Sequence, residues 1–255
     1  MLNYYRRGQG PVLVLQHGFL GGGSLWMPQI AFFSRMFDVI APDLPGYAGS
    51  AHLPPADSVA GMAAAVVDLL DALGVGDFNL VGHSMGGMVV QEMAASQGKR
   101  ITKLVLYGTA CSGEMPRRFE PFSETARTMA AEGVETTGAR IGKTWFVEGE
   151  RAPYYPLCQN SGAGTTLEAA LAGLKAMPAW NGTAALPGLA MPALVMGGDR
   201  DRSYSLPEMA YLAATLPDAQ LAILPGCAHN AHLEKPDLFN QILNDFLLST
   251  PSDNY

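Results

Sequence analysis

The sequence predicts an α/β fold, a mostly parallel doubly wound sheet interrupted by a helical insertion. Three observations carry this. Short β-branched apolar runs alternate with amphipathic stretches of helical period along both ends of the chain. The alternation stops between residues 112 and 187. The strand-like runs are apolar without a polar alternate face, as strands covered by helices on both sides must be.

The first such run, residues 11–16 (PVLVLQ), closes on His17-Gly18, and the same grammar returns at 38–42, 79–81, 103–107, 193–196 and 220–224. Helical patterns fall between them at 25–33, 59–73, 88–96, 206–215 and 237–248, the last opening after Pro236. Right-handed βαβ units are the connection such alternation requires, and ligands of such sheets bind at the carboxyl ends of the strands. Residues 112–187 are too long for a loop and too poor in strand signal to extend the sheet. They carry helix-like stretches at 124–132, 135–146 and 167–177, broken by Pro153, Pro156 and the loop 161–164. The expected organisation is a core of residues 1–111 and 188–255 with a helical lid over 112–187, the alternative being a helical layer unrelated to any ligand.

The 255 residues bound the function classes. Charged residues are 15% and hydrophobic residues 48%, which excludes a disordered chain. A net charge of −7 with basic residues scattered singly or in pairs leaves no phosphate-tracking stripe, so no nucleic-acid partner is expected. The three cysteines, Cys111, Cys158 and Cys227, form no CxxC pair and suggest neither a disulfide framework nor a metal cage. No apolar run reaches the roughly 18 residues a membrane helix needs, and residues 1–10 lack the apolar stretch of a secretory signal. The expectation is a cytoplasmic protein without membrane or metal, acting on a small molecule, its oligomeric state unreadable.

Chemistry concentrates at Gly82-His83-Ser84-Met85-Gly86, a GxSxG between a strand and a helix. With 29 glycines in the chain, chance alone supplies about 0.17 such matches, so context has to decide between a nucleophile and a serine N-cap. A sharp strand-to-helix turn lifts the central hydroxyl above the sheet, and glycines two positions either side let strand and helix approach. Gly82 and Gly86 fill those positions. A serine hydroxyl needs a base. Of the five histidines, His17 and His83 lie beside strand ends, where main-chain hydrogen bonds occupy them, and His52 lies in a polar loop. His229 follows the last strand-like run in a loop at the ligand edge, with His232 the competitor. The acid that orients the imidazole comes from Gly197-Gly198-Asp199-Arg200-Asp201, with Asp201 preferred and Asp199 open. The order Ser84, Asp201, His229 suits this architecture.

The oxyanion of a tetrahedral intermediate needs two donors: the Met85 amide at the helix start, and an amide from the Gly-rich loop 17–23, for which Phe19 is the choice. That loop has neither GxxxxGK[ST] nor GxGxxG spacing, so no nucleotide or other cofactor is expected. Aromatic and methionine side chains of the insertion, Trp145, Phe146, Tyr155 and Met177 among them, are candidates for substrate contact, and Trp26 reads as core.

These motifs resemble the α/β-hydrolase superfamily, in particular its compact, lidded esterase, lactonase and carbon-carbon hydrolase members. The likeness spans nearly the whole chain through HGF at 17–19, PDLPGYAGS at 42–50, GHSMGG at 82–87, GDRD at 198–201 and GCAHNAHLEKP at 226–236. It implies that the acid is the last residue of GxxD, Asp201, and the base the first of the two late histidines, His229. A serine at the elbow separates the chain from dehalogenase-like and epoxide-hydrolase-like relatives, which use aspartate there. Among subfamilies the chain most resembles enol-lactonases of the 3-oxoadipate type. Tyr47 stands where many relatives have histidine, Asn230 where ring-cleavage-product hydrolases have tryptophan, and Met88 replaces an arginine of the menaquinone-pathway enzyme. The activity so implied is cofactor-independent serine hydrolysis of a small carboxylic ester or enol-lactone, the alternatives being carbon-carbon bond hydrolysis of a vinylogous diketone and a non-catalytic ligand receptor.

Overall fold

The computed structural model describes residues 1–116 and 118–249. Among these residues seven strands form one sheet: β1 (Tyr4–Arg7), β2 (Val12–Gln16), β3 (Asp38–Pro42), β4 (Phe78–His83), β5 (Ile101–Tyr107), β6 (Ala193–Gly198) and β7 (Ala219–Leu224). Their order is β1-β3-β2-β4-β5-β6-β7, with every pair parallel except β1 against β3. The six predicted strands all form. β1 is the added one, and its sequence hides it: YYRR is a half-exposed edge strand whose Arg6 pairs with Asp38 at 2.7 Å, so it shows no apolar run.

The described residues form ten α-helices: α1 (Met27–Phe33), α2 (Val59–Ala72), α3 (Met85–Gln97), α4 (Phe122–Glu132), α5 (Val134–Gly142), α6 (Tyr155–Ser161), α7 (Leu167–Ala179), α8 (Leu206–Thr215), α9 (Ala231–Glu234) and α10 (Pro236–Leu248). The two-residue period of the strands sends alternate side chains to two cores. Leu13 and Leu15 join Phe33, Phe239 and Leu243 on the side of α1 and α10, whereas Val14 joins Val66, Met88 and Val89 on the side of α2 and α3. Trp26 is fully buried in the first of these cores, as its sequence position suggested. Among the described residues no helix is long and apolar enough to cross a membrane, and all three cysteines are free and buried.

The chain leaves the sheet after β5 and returns at β6 through the helices α4 to α7. Its two ends are stitched together where Gly113 N–H donates to the Trp180 carbonyl (2.9 Å) and Gly182 N–H to that of Cys111 (2.8 Å). Trp180 Nε1 donates to Glu92 Oε1 of α3 (2.7 Å), and Tyr47 Oη to the Ala169 carbonyl of α7 (3.2 Å), so the insertion is fastened to the core at two more points. The proline signals misled at one place. Pro156 sits in the first turn of α6, where its missing N–H costs nothing, so a residue read as a breaker starts a helix.

The strand order reverses between β2 and β4, which are paired side by side with Gln16 opposite Gly82. The loops leaving these two strands therefore diverge to open a crevice at their carboxyl ends. Both the 17–23 loop and Ser84 lie at that point.

Candidate active site

Ser84 is the N-cap of α3 and has φ 57° and ψ −122°, a backbone region that side chains rarely occupy. The fold over-determines this strain of about 1–3 kcal/mol. Its N–H extends the sheet by donating to the Tyr107 carbonyl (2.9 Å), and its carbonyl accepts from Gly87 N–H (2.8 Å). A Cβ on Gly82 would fall 2.4 Å from the Gly86 carbonyl oxygen and from Val90 Cγ2, and one on Gly86 would fall 2.4 Å from the His17 carbonyl oxygen. Glycine is thus required at both flanks of the turn, as the pattern predicted.

The expected acid and imidazole meet. His229 Nδ1 lies 2.8 Å from Asp201 Oδ2, and both side chains are almost wholly buried, at 3% and 1% exposure. Asp201 Oδ1 accepts from the Ser203 (2.7 Å) and Tyr204 (3.2 Å) amides, a turn that fixes the carboxylate and leaves Oδ2 for the imidazole. With Nδ1–H donating to carboxylate, Nε2 carries the lone pair. Asp199 is not idle: its Oδ1 accepts from Gly226 (2.6 Å) and Cys227 (3.3 Å) amides and so shapes the loop that delivers His229. Its pairing with Arg200 is loose, at 3.7 Å.

The rings of His17 and His83 hold main chain, and that of His232 holds a side-chain hydroxyl. His17 takes the Leu44 N–H on Nε2 (3.0 Å) and donates from Nδ1 to the Gly18 carbonyl (2.8 Å). His83 Nε2 bonds the His229 carbonyl (3.1 Å), and His232 Nδ1 bonds Tyr107 Oη (3.0 Å). Burial drives all three imidazoles below their ordinary value, His83 far below and His232 down to about 3, so they stay neutral.

Ser84 and His229 line a cavity on each side of the nucleophile turn. One is bounded by Gly18, Leu20, Cys158 and Asn230, the other by Phe19, Met115, Phe122 and Met177, and Trp145 borders both. The Ser84 hydroxyl makes no hydrogen bond to His229 and lies beside the Tyr204 hydroxyl, whose pKa burial raises and the neighbouring Ser84 hydroxyl lowers. Catalytic hydrogen bonds are commonly loose before a ligand binds. The Phe19 amide, in the loop, and the Met85 amide, at the first position of α3, have no acceptor among the described residues. Among those residues no group of three or more His, Cys, Asp or Glu side chains is arranged to hold a metal.

Of the insertion candidates, Trp145 and Met177 border the Ser84 cavities, and Trp145 stands 6.1 Å from the His229 ring because its carbonyl accepts the Asn230 N–H (3.0 Å). Tyr155 borders only a larger outer cavity, which shares Leu20, Trp145 and Cys158 with the inner one. Phe146 borders neither and is a correction. The predicted helix over 135–146 ends at Gly142 and a short 3-10 turn follows over Lys143–Trp145, so Phe146 leaves the helical phase and packs with Leu25, Cys158 and Leu233. Sequence reasoning missed Arg118 and Tyr204. Tyr204 belongs to no motif, and only its place three residues after the expected acid could have marked it.

This geometry agrees with what the chain is similar to. The α/β-hydrolase fold family matches residues 11–236, and the chain belongs to it. It is a hydrolase of that class. The enol-lactonase from Burkholderia xenovorans LB400 superposes with a TM-score of 0.89 at 26% identity, over 97% of this chain and 96% of that one. A thermophilic esterase from Thermogutta terrifontis gives 0.85 at 27%, over 96% and 92%. The 2-hydroxy-6-oxo-6-phenylhexa-2,4-dienoate hydrolase of Burkholderia cepacia is 30% identical, covering 94% of this chain and 88% of its own.

Proposed function

We propose that the chain is a cofactor-independent serine hydrolase of a small carboxylic ester or enol-lactone. The observation that carries the reading is the buried His229–Asp201 pair at 2.8 Å, with His229 bordering the same cavities as Ser84, a half-buried serine held at positive φ. Ser84 attacks the acyl carbon while His229 Nε2 takes its proton, and Asp201 stabilises the imidazolium that forms. The Phe19 and Met85 amides receive the oxyanion, a service worth about a hundredfold to a thousandfold per donor. The imidazolium then protonates the leaving alkoxide, and water, deprotonated by the same nitrogen, releases the acid and restores Ser84. Residues 112–187 act as the lid, and Trp145 and Met177 contact the substrate.

Treatment with a fluorophosphonate followed by intact mass, together with hydrolysis of p-nitrophenyl butyrate, tests this. One adduct on the wild type, none on Ser84→Ala, and ester turnover are expected. An unmodified, inactive wild type would overturn the reading and favour a ligand receptor. The 30% likeness to a dienoate hydrolase supports a second reading, carbon-carbon bond hydrolysis through the same groups. Labelling with inert esters and turnover of a dienone acid would select it.

A further inference from the structure

Arg118 stands in the wall of the Ser84 cavity with Tyr204, Phe122 and Met177, in a segment that bears no motif. Its guanidinium is half-buried, with its centre 5.0 Å from the Phe119 ring and 4.5 Å from that of Phe122. Only Nη1 is committed: it donates to the Glu120 carbonyl and to Thr125 Oγ1 (2.8 Å). Nε and Nη2 have no acceptor among the described residues, and no carboxylate of those residues lies within ion-pair range of Arg118.

The nearby carboxylate does not satisfy this charge. Glu120 is taken by Arg140 in a two-pronged pair (2.8 and 2.9 Å) and accepts a further bond from Thr125 Oγ1 (2.6 Å). With both Glu120 oxygens on Arg140, Arg118 has no direct carboxylate partner among the described residues on the cavity it shares with Ser84. Burial lowers the Arg118 pKa from its ordinary value, a sign that the cation has lost water without gaining an equal counter-charge. The Tyr204 hydroxyl borders the same cavity, where burial raises its pKa and keeps it a neutral donor beside Ser84. A planar fork with N–H groups to spare, facing a cavity with apolar walls that a tyrosine hydroxyl also borders, matches a carboxylate.

We infer that Arg118, assisted by Tyr204, is a specificity determinant that holds a free carboxylate on the acyl side of the substrate, so that the preferred substrates are half-esters or lactone acids. This rests on the serine-hydrolase reading for its turnover, though not for its binding. Because the Arg118 side chain and Ser84 border one small cavity, the carboxylate and the scissile carbonyl belong to one short acyl chain.

The test compares mono-p-nitrophenyl glutarate with p-nitrophenyl pentanoate on the wild type, Arg118→Gln and Arg118→Lys. The ratio of kcat/KM for the anionic over the neutral ester should fall about tenfold to a hundredfold in R118Q, as loss of a charge-assisted hydrogen bond does. R118K, which keeps the charge without the fork, should recover part of it. In an active wild type, a ratio unchanged by R118Q overturns the inference. Calorimetric titration of monoethyl glutarate into S84A and S84A/R118Q needs no turnover. Weaker binding to the double variant by tenfold or more sustains the subsite even if the wild type proves inert to esters, and equal binding removes it.

Discussion

The Tyr107 hydroxyl donates to the His229 carbonyl oxygen at 2.8 Å, from the end of β5 to a residue 122 positions later in the chain. The same carbonyl accepts from His83 Nε2, and Tyr107 Oη in turn receives the His232 N–H (3.1 Å). The imidazole side chain is oriented by Asp201, but the backbone that carries it is held by this tyrosine and two neutral histidines. Tyr107→Phe keeps the ring packing and removes the bond. Ester kcat should drop about tenfold to a hundredfold as the loop loosens. Guanidinium unfolding should lose about 1–3 kcal/mol from the orphaned polar groups. Unaltered kcat would show that the carbonyl clamp is dispensable.

The two carboxylates that follow β6, Asp199 and Asp201, have separable duties. Asp201→Asn should cut kcat by about 10⁴, the cost of the wrong imidazole tautomer. Asp199→Ala removes the acceptor of the Gly226 and Cys227 amides and should cost about 1–3 kcal/mol of stability with a far smaller loss of kcat. The reverse ranking in paired kinetic and unfolding measurements would reassign the acid.

Gly86→Ala places a methyl 2.4 Å from the His17 carbonyl oxygen, a backbone atom that cannot swing aside. The strand-helix turn and the 17–19 loop must part. Both fluorophosphonate labelling and stability should suffer, the latter by about 1–3 kcal/mol from overpacking. An alanine variant that labels at the wild-type rate would show the turn to be slack.

The buried histidines set an acid limit on stability. His232 has a folded pKa of about 3, and His83 and His17 are also lowered. Their unfolded values are near 6.5, so below that pH the unfolded chain binds protons that the native one does not. Their contribution is whole above about 6.5 and is lost as pH falls, at about 1.4 kcal/mol per unit for each. The guanidinium midpoint should therefore decline from pH 7 to pH 5, and a flat midpoint would contradict burial of neutral imidazoles.

Much of this was legible from one-dimensional pattern because the forces concerned are local. An apolar run buried on both faces, a glycine pair around Ser84, and a histidine in a loop past the last strand each follow from nearest-neighbour sterics and periodicity. Where competing signals were equal, sequence misjudged. Gly86-Gly87 hid the helical period before Met88, and only the strand-to-helix turn at Ser84 pointed to the Met85 start that α3 has. Polar YYRR hid an edge strand, and Phe146, apolar like Trp145, turned inward because the helix before it ended early.

By itself the sequence determined the layered α/β architecture, the strained turn and the identity of the groups placed at the sheet's carboxyl edge. Only the tertiary structure decided that Asp201 reaches the imidazole while Asp199 shapes its loop, that Tyr107 clamps the loop from across the sheet, and that Arg118 borders the Ser84 cavity with no direct carboxylate partner among the described residues. These are relations between residues tens to more than a hundred positions apart. They depend on how an insertion folds back over the sheet and on which partner claims each charge first, neither of which leaves a mark on local pattern.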